Sequence, residues 1–343
     1  MRALSDTASR FARWALEEAG IDEAVIGKTL TGGNANVTRL VDTAQGQMVL
    51  RHPPSDTVSA LAGAGIEREY RFLEALVGKA PVAPPIAWCG DSTVIGAPFS
   101  LTGFVHGVSI TEHLPASYQD SIETRNSIGT ALIAALGSIH VIDPEGLGLG
   151  HPDKARSFVT RQVTRWRDAR SKDHVRLLPQ IETIAAWLLV NCPDPQAIRI
   201  VHCDYHLDNT LMDETALRVN AILDWEMATL ADPMVDLGLV TALWNRDEGV
   251  PLGFRFVQRI SNCEGVVSGA ELAAQWAQAT GFSAARLQYY QVFALWRLAA
   301  IVEGAFVLYR KGQVDGAYER GLEQDVPALL SAADLLMRTG AAA

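Results

Sequence analysis

Apolar residues in the first part of the chain recur with a helical spacing and then with a strand spacing. From Phe11 to Ala19 they fall on one side of a helix, and Gly20 is placed to end it. Short β-prone runs follow from Thr29 to Val41 and from Gln47 to Leu50, separated by turns that contain glycine. The pattern predicts a leading helix followed by three antiparallel strands.

The rest of the pattern divides the chain into a strand-rich part and a longer helical part. Two more strands are predicted at Ile86–Trp88 and Pro98–Val105, after a proline-rich loop. A long apolar face from Ile122 to Ile139 begins a mostly helical region. Because 48% of the 343 residues are hydrophobic, the chain can form two lobes, which we place at 1–107 and 108–343. The sequence therefore predicts an α+β protein.

Composition excludes several classes of protein. The formal net charge of −10 argues against a nucleic-acid-binding protein, which needs a basic surface. The four cysteines are widely spaced without a C-x-x-C pair, which indicates neither zinc nor disulfides and favours a cytoplasmic location. The N-terminus lacks a basic segment followed by a long apolar stretch, and no run approaches about eighteen apolar residues. We therefore expect no secretion and no binding to membrane or nucleic acid.

Two short apolar runs, Ala197–Val201 and Val219–Leu223, predict strands on either side of a polar segment. Oxygen-bearing side chains follow both runs: Asp204 and Asn209 come after the first, and Asp224 comes after the second. Side chains beside strand ends can face a cleft without being buried. The alternative is a hairpin whose polar groups only cap turns.

The spacing of His202, Asp204 and Asn209, with Asp224 on the following strand, matches a kinase catalytic loop and its metal-binding strand. Asp204 can accept the proton of an attacking hydroxyl group. The amide oxygen of Asn209 and the carboxylate of Asp224 suit Mg²⁺, a hard cation that prefers oxygen ligands. We assign His202 to bracing the loop, because a general-base role would duplicate Asp204.

At these motifs the chain resembles the aminoglycoside phosphotransferase and choline kinase-like superfamily, which phosphorylates small molecules. Within it, the chain is similar to the kinase-like domain of the acyl-CoA dehydrogenase 10 and 11 type proteins, through Asp224–Glu226, Asp232–Leu237 and Ala294–Leu298. The resemblance implies a bilobal protein kinase-like fold. It also implies ATP and Mg²⁺ as cofactors and a small-molecule hydroxyl group as the phosphate acceptor.

Three residues around the loop are interpreted as structural. Cys203 stands where the superfamily usually has glycine, and the neighbouring Asp204 disfavours a thiolate, so we give the thiol no catalytic role. The resemblance implies that Asp236 braces the catalytic segment. His140, at the end of the predicted helix Ile122–Ile139, is interpreted as a packing residue.

The resemblance also implies nucleotide contacts in the first lobe. The loop that would cover the ATP phosphates contains Gly32, Gly33 and Asn34. An isolated Gly-Gly pair would equally form a plain β-turn. Backbone groups that would hold the adenine are those of Thr102, Gly103, Phe104 and Val105.

A cation on the third strand, paired with a glutamate on the next helix, would orient the ATP phosphates. The matching residues here are Arg51 and Glu69. The superfamily has lysine in place of Arg51, but a guanidinium also binds phosphate, with a different geometry. The alternative is that both residues are ordinary surface charges.

Side chains of two helices are the candidates for binding the acceptor: Arg161, Arg165, Trp166, Tyr289, Tyr290 and Arg297. Arg161, Arg165 and Trp166 would equally form a solvated helix, and the helical spacing of Tyr289 and Tyr290 favours an aromatic core over a pocket wall. This mixture suits an anionic or partly apolar acceptor, such as a hydroxy acid or hydroxyacyl-CoA. A site for an aminoglycoside would present many carboxylates. Aminoglycosides and choline-type amino alcohols remain alternatives, and an inactive nucleotide-binding scaffold is an alternative of another class.

Overall fold

The structure is a computed structural model that describes residues 2–30, 36–54, 60–245 and 257–340. The chain divides into two compact units. The first unit comprises Met1–Gly107 and Asn220–Ala228, and the second comprises Val108–Val219 and Thr229–Ala343. The lobe prediction placed residues 220–228 with the C-terminal part. They lie in the first unit, where the ring of Trp225 stacks on that of Phe72 with centroids 6.5 Å apart.

Ten helices and nine strands are assigned in the described residues. The helices are α1 Arg2–Ala19, α2 Ala60–Leu76, α3 Ile122–His140, α4 Pro152–Arg156, α5 Phe158–Lys172, α6 Pro179–Val190, α7 Met234–Ala242, α8 Gly269–Thr280, α9 Leu287–Arg310 and α10 Ala317–Gly340. The strands are β1 Val25–Thr29, β2 Val37–Thr43, β3 Gly46–His52, β4 Pro85–Cys89, β5 Phe99–Gly103, β6 Arg199–Val201, β7 Thr210–Met212, β8 Val219–Ile222 and β9 Thr229–Ala231.

The first unit is built on a five-stranded antiparallel sheet with the order β1-β2-β3-β5-β4. Helix α1 packs on it through aromatic rings: the Phe11 and Trp14 centroids lie 5.8 and 4.6 Å from that of Phe99. Phe11 and Phe99 are fully buried in this core. The predicted leading helix, the number of strands after it and the two later strands are confirmed, but β1 lies earlier than predicted, since it ends at Thr29 where the predicted run begins.

The second unit is mostly helical, and α9 lies at its centre. It packs against α5, α6, α7 and α10. Two side chains tie it to α6: Trp296 Nε1 donates to the carbonyl oxygen of Ile181 at 2.9 Å, and the Tyr289 hydroxyl donates to that of Leu188 at 2.8 Å. In the described chain, α9 is the one helix long and apolar enough to cross a membrane, but 67% of that window is buried in the protein. Such burial is typical of a core helix.

Candidate active site

The loop after β6 is held by one buried carboxylate. Asp236, in the first turn of α7, accepts hydrogen bonds from the backbone N–H groups of His202 at 2.6 Å and Cys203 at 2.7 Å. Its side chain is fully buried. Charge-assisted bonds of this length are stronger than neutral ones, so the predicted brace is present in the structure.

A chain of two further side chains orients that carboxylate. Trp276 Nε1 donates to His140 Nδ1 at 3.0 Å, so this ring nitrogen accepts. His140 Nε2 lies 3.3 Å from Asp236 Oδ2 and is then the nitrogen that carries the proton. His140 is fully buried, in agreement with its interpretation as a packing residue, and it also fixes Asp236.

The backbone at Cys203 has a conformation that favours glycine. Its φ is +67°, in the left-handed region that side chains with a Cβ disfavour. Its thiol is buried, and burial raises the pKa of Cys203 well above the usual value, while Arg297 opposes this only in part. The protonated thiol is a poor nucleophile, which agrees with the structural role expected for Cys203.

Asp204 is ionised at neutral pH. Burial raises its pKa, but the hydrogen bond from His206 and the charges of His206 and Arg297 outweigh burial and lower the pKa to about 2. The side-chain nitrogen of Asn209 donates to Asp204 Oδ2 and to its backbone oxygen, both at 3.0 Å. The carboxylate is thus available to accept a hydrogen bond from a hydroxyl group. With so low a pKa it accepts the proton itself only late in a reaction.

Sequence reasoning missed His206. Its Nε2 lies 3.6 Å from Asp204 Oδ1, and its Nδ1 lies 3.3 Å from Asp208 Oδ2. Burial lowers the pKa of His206, but the two carboxylates outweigh it and raise the pKa to about 10. An imidazolium therefore balances the Asp204 charge. The signal was a histidine with an aspartate two residues away on each side.

Gln258 is a second residue that the sequence did not reveal. Its side-chain oxygen accepts from Leu207 N at 3.0 Å, and its backbone N–H donates to Asp208 Oδ2 at 3.1 Å. It is fully buried. Gln258 therefore fixes the part of the loop between the base candidate Asp204 and the predicted metal ligand Asn209.

In the first unit, Arg51 lies among three carboxylates. Its Nη1 donates to Glu69 at 3.0 Å and its Nη2 donates to Asp224 at 2.6 Å, while Nη2 lies 3.6 Å from Glu226. The contact predicted between Arg51 and Glu69 is thus made. Glu226 was not foreseen, although it lies two residues after Asp224, and it also accepts from Asn36 Nδ2 at 2.6 Å.

The pKa values of Glu69 and Arg51 reflect burial first and the neighbouring charges second. Burial raises the pKa of Glu69 to about 7, and the charge of Arg51 opposes that rise while Asp224 and Glu226 add to it. Burial also lowers the pKa of Arg51, but the carboxylates outweigh it, so the pKa lies above its usual value. Asp224 itself has a φ of +64° and precedes a short 3₁₀ turn, Trp225–Met227.

The other predicted nucleotide contacts are placed only in part. Gly32, Gly33 and Asn34 lie outside the described residues. Thr102 and Gly103 end β5, and Phe104 and Val105 follow it. Gly103 N donates to the Pro84 carbonyl oxygen at 2.8 Å, and Phe104 N donates to that of Gln47 at 3.3 Å. An adenine bound through these two N–H groups would compete with those hydrogen bonds. The backbone carbonyl groups of the same segment are therefore the better candidates for adenine contacts.

The candidate acceptor residues do not form one group. Arg161 and Arg165 are exposed on α5, and Trp166 Nε1 donates to Gln162 within the same helix at 3.0 Å. Tyr289 and Tyr290 are buried on α9, which favours the core interpretation over substrate binding. Arg297 is buried too, but its Nη1 donates to the Cys203 carbonyl oxygen at 2.9 Å. It is the candidate that contacts the catalytic loop in the described structure.

A protein-only metal centre is not formed by the described residues: no group of three or more His, Cys, Asp or Glu side chains is arranged to hold an ion. Mg²⁺ bound with a nucleotide uses one or two protein ligands together with phosphate oxygens.

Comparison with known proteins decides the family. The profile of the phosphotransferase enzyme family matches residues 26–291. The chain belongs to this family. The sequence-based resemblance is therefore confirmed. The match covers most of both units, including the Asp204 loop and the Arg51 cluster of the phosphotransferase.

Two relatives of this phosphotransferase carry the name acyl-CoA dehydrogenase. Mouse acyl-CoA dehydrogenase family member 10 is 29% identical over 287 residues, which is 83% of this chain and 27% of that protein. Rat acyl-CoA dehydrogenase family member 11 is 26% identical over 289 residues, which is 82% of this chain and 36% of that protein. The chain thus spans well under half of the length of either relative.

Solved structures give the fold. A Ralstonia eutropha protein named after aminoglycoside phosphotransferase has a TM-score of 0.79 and 26% identity, covering 96% of this chain and 98% of its own. A type I macrolide 2'-phosphotransferase has a TM-score of 0.59 and 21% identity, covering 96% and 97%. The predicted bilobal kinase-like α+β fold is confirmed. Together with the family match, the comparisons support a small-molecule phosphotransferase.

Proposed function

We propose that this chain transfers the γ-phosphoryl group of ATP to a hydroxyl group of a small molecule. The observation that carries the proposal is the Asp204 carboxylate, which is ionised and held in the loop by Asn209, His206 and the Asp236 brace. A carboxylate in this state can align an acceptor hydroxyl group and take its proton late in the transfer.

The chemical balance of the step is simple. The acceptor oxygen bonds to the γ-phosphorus, the bond from that phosphorus to the oxygen bridging to the β-phosphate breaks, and ADP leaves. The hydroxyl proton passes to Asp204 and then to solvent. Because this chemistry needs positioning and charge neutralisation more than covalent catalysis, a small set of residues suffices.

The charges of the first unit fit a divalent cation. Three carboxylates, those of Glu69, Asp224 and Glu226, surround the single guanidinium of Arg51. This excess of negative charge would repel a polyphosphate unless another cation balanced it. When bound, Mg²⁺ would supply that balance and neutralise charge on the phosphate oxygens. Arg51 would orient the phosphates with guanidinium N–H groups that then no longer donate to the carboxylates.

Each unit offers one of the predicted Mg²⁺ ligands. In the first unit this is Asp224, whose carboxylate already attracts a cation, Arg51 Nη2 at 2.6 Å. In the second unit it is Asn209, whose side-chain nitrogen is used by Asp204, which leaves the amide oxygen as the group for a cation. The two assignments are independent and can be tested separately.

For the acceptor we propose a hydroxy acid or a hydroxyacyl-CoA. The relatives named acyl-CoA dehydrogenase support an acyl substrate, and the exposed Arg161 and Arg165 on α5 would suit an anionic one. An aminoglycoside is the second candidate, favoured by the name of the Ralstonia eutropha structure. We keep a cytoplasmic location in the proposal, since all four cysteines are free thiols.

The test is an ATP-consumption assay with Mg²⁺ across hydroxyacyl-CoAs, hydroxy acids, amino alcohols and aminoglycosides. We expect Asp204→Asn to lower kcat by about 10²–10⁴-fold, since an amide cannot accept the proton. The matched control is Asp153→Asn, an exposed aspartate of α4 in the same unit, which should keep full activity. Equal rates for wild type and Asp204→Asn would refute the proposal. MgATP binding without turnover on any acceptor would favour the inactive scaffold.

A further inference from the structure

Arg297 is buried in the core, where its charge acts on Asp204 but makes no direct ion pair within the described residues. It lies in the middle of α9 with 7% of its surface exposed, and the buried Phe293, Trp296 and Ala300 are near it on the same helix. Within the described residues, the hydrogen bond of its Nη1 goes to a backbone carbonyl oxygen, and its Nε has no hydrogen-bond partner. Burying a guanidinium in this way is costly. Packing alone therefore does not explain an arginine here, since leucine or methionine would fill the space.

The group that Arg297 does bind belongs to the catalytic loop. Its Nη1 donates to the Cys203 carbonyl oxygen at 2.9 Å. That oxygen and the N–H of Asp204 are two ends of one planar peptide group. The N–H end lies 3.3 Å from His202 Nδ1. The peptide that leads into Asp204 is thus held at both ends, which fixes the direction in which the Asp204 side chain leaves the backbone.

This peptide needs holding because the residue before it is strained. The φ of Cys203 is +67°, a conformation that costs of order 1–3 kcal/mol for a residue other than glycine. Such conformations persist only where the surroundings impose them. Here Asp236 binds the N–H of Cys203 at 2.7 Å and Arg297 binds its carbonyl group. Without Arg297, the peptide between Cys203 and Asp204 could rotate to relieve the strain.

We propose that Arg297 is a positioning residue, which holds the peptide between Cys203 and Asp204 so that the Asp204 carboxylate points at the acceptor hydroxyl group. This replaces the role in acceptor binding that the sequence indicated for Arg297. The inference rests on the proposed function, because it assigns to Asp204 the role described there. A displacement of about 1 Å in such a group can cost about a hundredfold in rate.

The variant Arg297→Met tests this role, because methionine keeps much of the packing volume and removes both the donor and the buried charge. We expect kcat for MgATP turnover to fall about a hundredfold while KM for MgATP is unchanged. Arg297→Lys keeps a cationic donor that can reach a carbonyl group and should recover part of kcat. A rise in the acceptor KM at unchanged kcat would instead mean that Arg297 binds the acceptor, and would overturn the inference.

The matched control is Arg176→Met in the same unit. Arg176 binds the buried Glu303 through Nε at 3.1 Å and Nη2 at 2.5 Å, so its loss leaves a carboxylate unpaired. Arg176→Met should lower the melting temperature at least as much as Arg297→Met while keeping kcat. A loss of kcat in both variants, in step with their stability, would show that Arg297 is merely structural.

Hydrogen exchange gives a readout that does not need an active enzyme. Backbone amides of residues 202–207 should exchange faster in Arg297→Met than in wild type and at the wild-type rate in Arg176→Met. Unchanged exchange and kcat in Arg297→Met, with Asp204→Asn inactive, would reject the inference and keep the proposed function. Full activity of Asp204→Asn would reject the proposed function, and faster exchange would then still establish that Arg297 holds the loop.

Discussion

At the scale of the residue, two backbone positions with positive φ direct the predicted base and a predicted metal ligand of the candidate site. Cys203 lies at +67° and Asp224 at +64°. The backbone at Cys203 directs the side chain of the next residue, Asp204, and the backbone at Asp224 directs its own side chain. A regular strand would place both side chains elsewhere. Strained conformations of this kind cluster at functional sites because the surroundings must hold them there.

A carboxylate away from the site gives a test of stability against pH. Asp213, in the turn after β7, accepts hydrogen bonds at 2.9 Å from the backbone of Thr215 and Ala216 and at 3.0 Å from Arg218 Nη2. These bonds, that from Ala216 foremost, hold the pKa of Asp213 well below its usual value. Because the pKa of Asp213 is lower in the folded state than in the unfolded state, where it is about 3.9, ionised Asp213 stabilises the fold at pH values above about 3.9. This stabilisation is lost as the pH falls below that value.

We therefore expect Asp213→Asn to melt below wild type at pH 7, with a difference that shrinks steadily as the pH is lowered from about 5 towards 2. Thermal denaturation of wild type and Asp213→Asn across this pH range measures the difference in melting temperature. Glu214→Gln changes the exposed neighbouring carboxylate in the same turn and serves as the control, with no such pH dependence. A constant difference at all pH values would contradict the assignment of the effect to ionised Asp213.

Single residues in the site were predictable where one local pattern contains them. Asp204 and Asn209 belong to one short motif, and Arg51 and Glu69 belong to a strand and the helix after it. Gln258 was beyond reach, because its contacts with the catalytic loop are to residues about fifty positions earlier and no spacing connects them.

At the scale of the element, strand prediction missed β7 and β9. Both have three residues and no alternation long enough to recognise, whereas β6, which is equally short, lies within the predicted apolar run Ala197–Val201. Tyr289 and Tyr290 show the corresponding problem in a helix. Helical spacing places an aromatic residue on a face but does not distinguish a core from a pocket wall.

Close packing of α7 on α9 depends on a missing side chain. A Cβ atom added at Gly238 would lie 2.6 Å from the carbonyl carbon and oxygen of Tyr290, which belong to the backbone of α9. Backbone atoms cannot move aside as a side chain can. Gly238→Ala should therefore destabilise the protein by about 1–3 kcal/mol or more, because the two helices must separate.

Gly65→Ala in α2 is the matched control, since an added Cβ there meets nothing within 4 Å. It should stabilise the protein by roughly 0.5–1 kcal/mol, because alanine favours the helix over glycine. Urea denaturation of both variants gives the comparison. Destabilisation of similar size in both would show that helix propensity, and not contact between α7 and α9, governs Gly238.

At the scale of the whole molecule, two compact units correspond to the small sheet-containing part and the large helical part that the sequence predicts. The chain enters the first unit twice, once from the N-terminus and once at Asn220–Ala228. Hydrophobic spacing could not reveal this return, because it depends on where Trp225 packs rather than on which element follows which.

The return segment carries Asp224, which allows the metal assignment to be tested on the intact protein. MgATP at a hundred times its Kd would stabilise the wild type by about 2.7 kcal/mol. Asp224→Asn should abolish this gain in thermal unfolding while the fold remains intact. Asp42→Asn, at an exposed aspartate of the same unit, should keep the full gain. A full MgATP-dependent gain in Asp224→Asn would contradict its role as a ligand.

The return of the chain also determines how the protein can be cut into pieces. A fragment that stops at residue 107 would expose the Phe72 ring that Trp225 covers, and would leave Arg51 with one of its three carboxylates. Such a fragment should aggregate, whereas the same fragment with residues 220–228 attached through a flexible linker should remain soluble. Expression of the small unit by itself, or its exchange between relatives, therefore requires joining two pieces that the gene encodes more than a hundred codons apart.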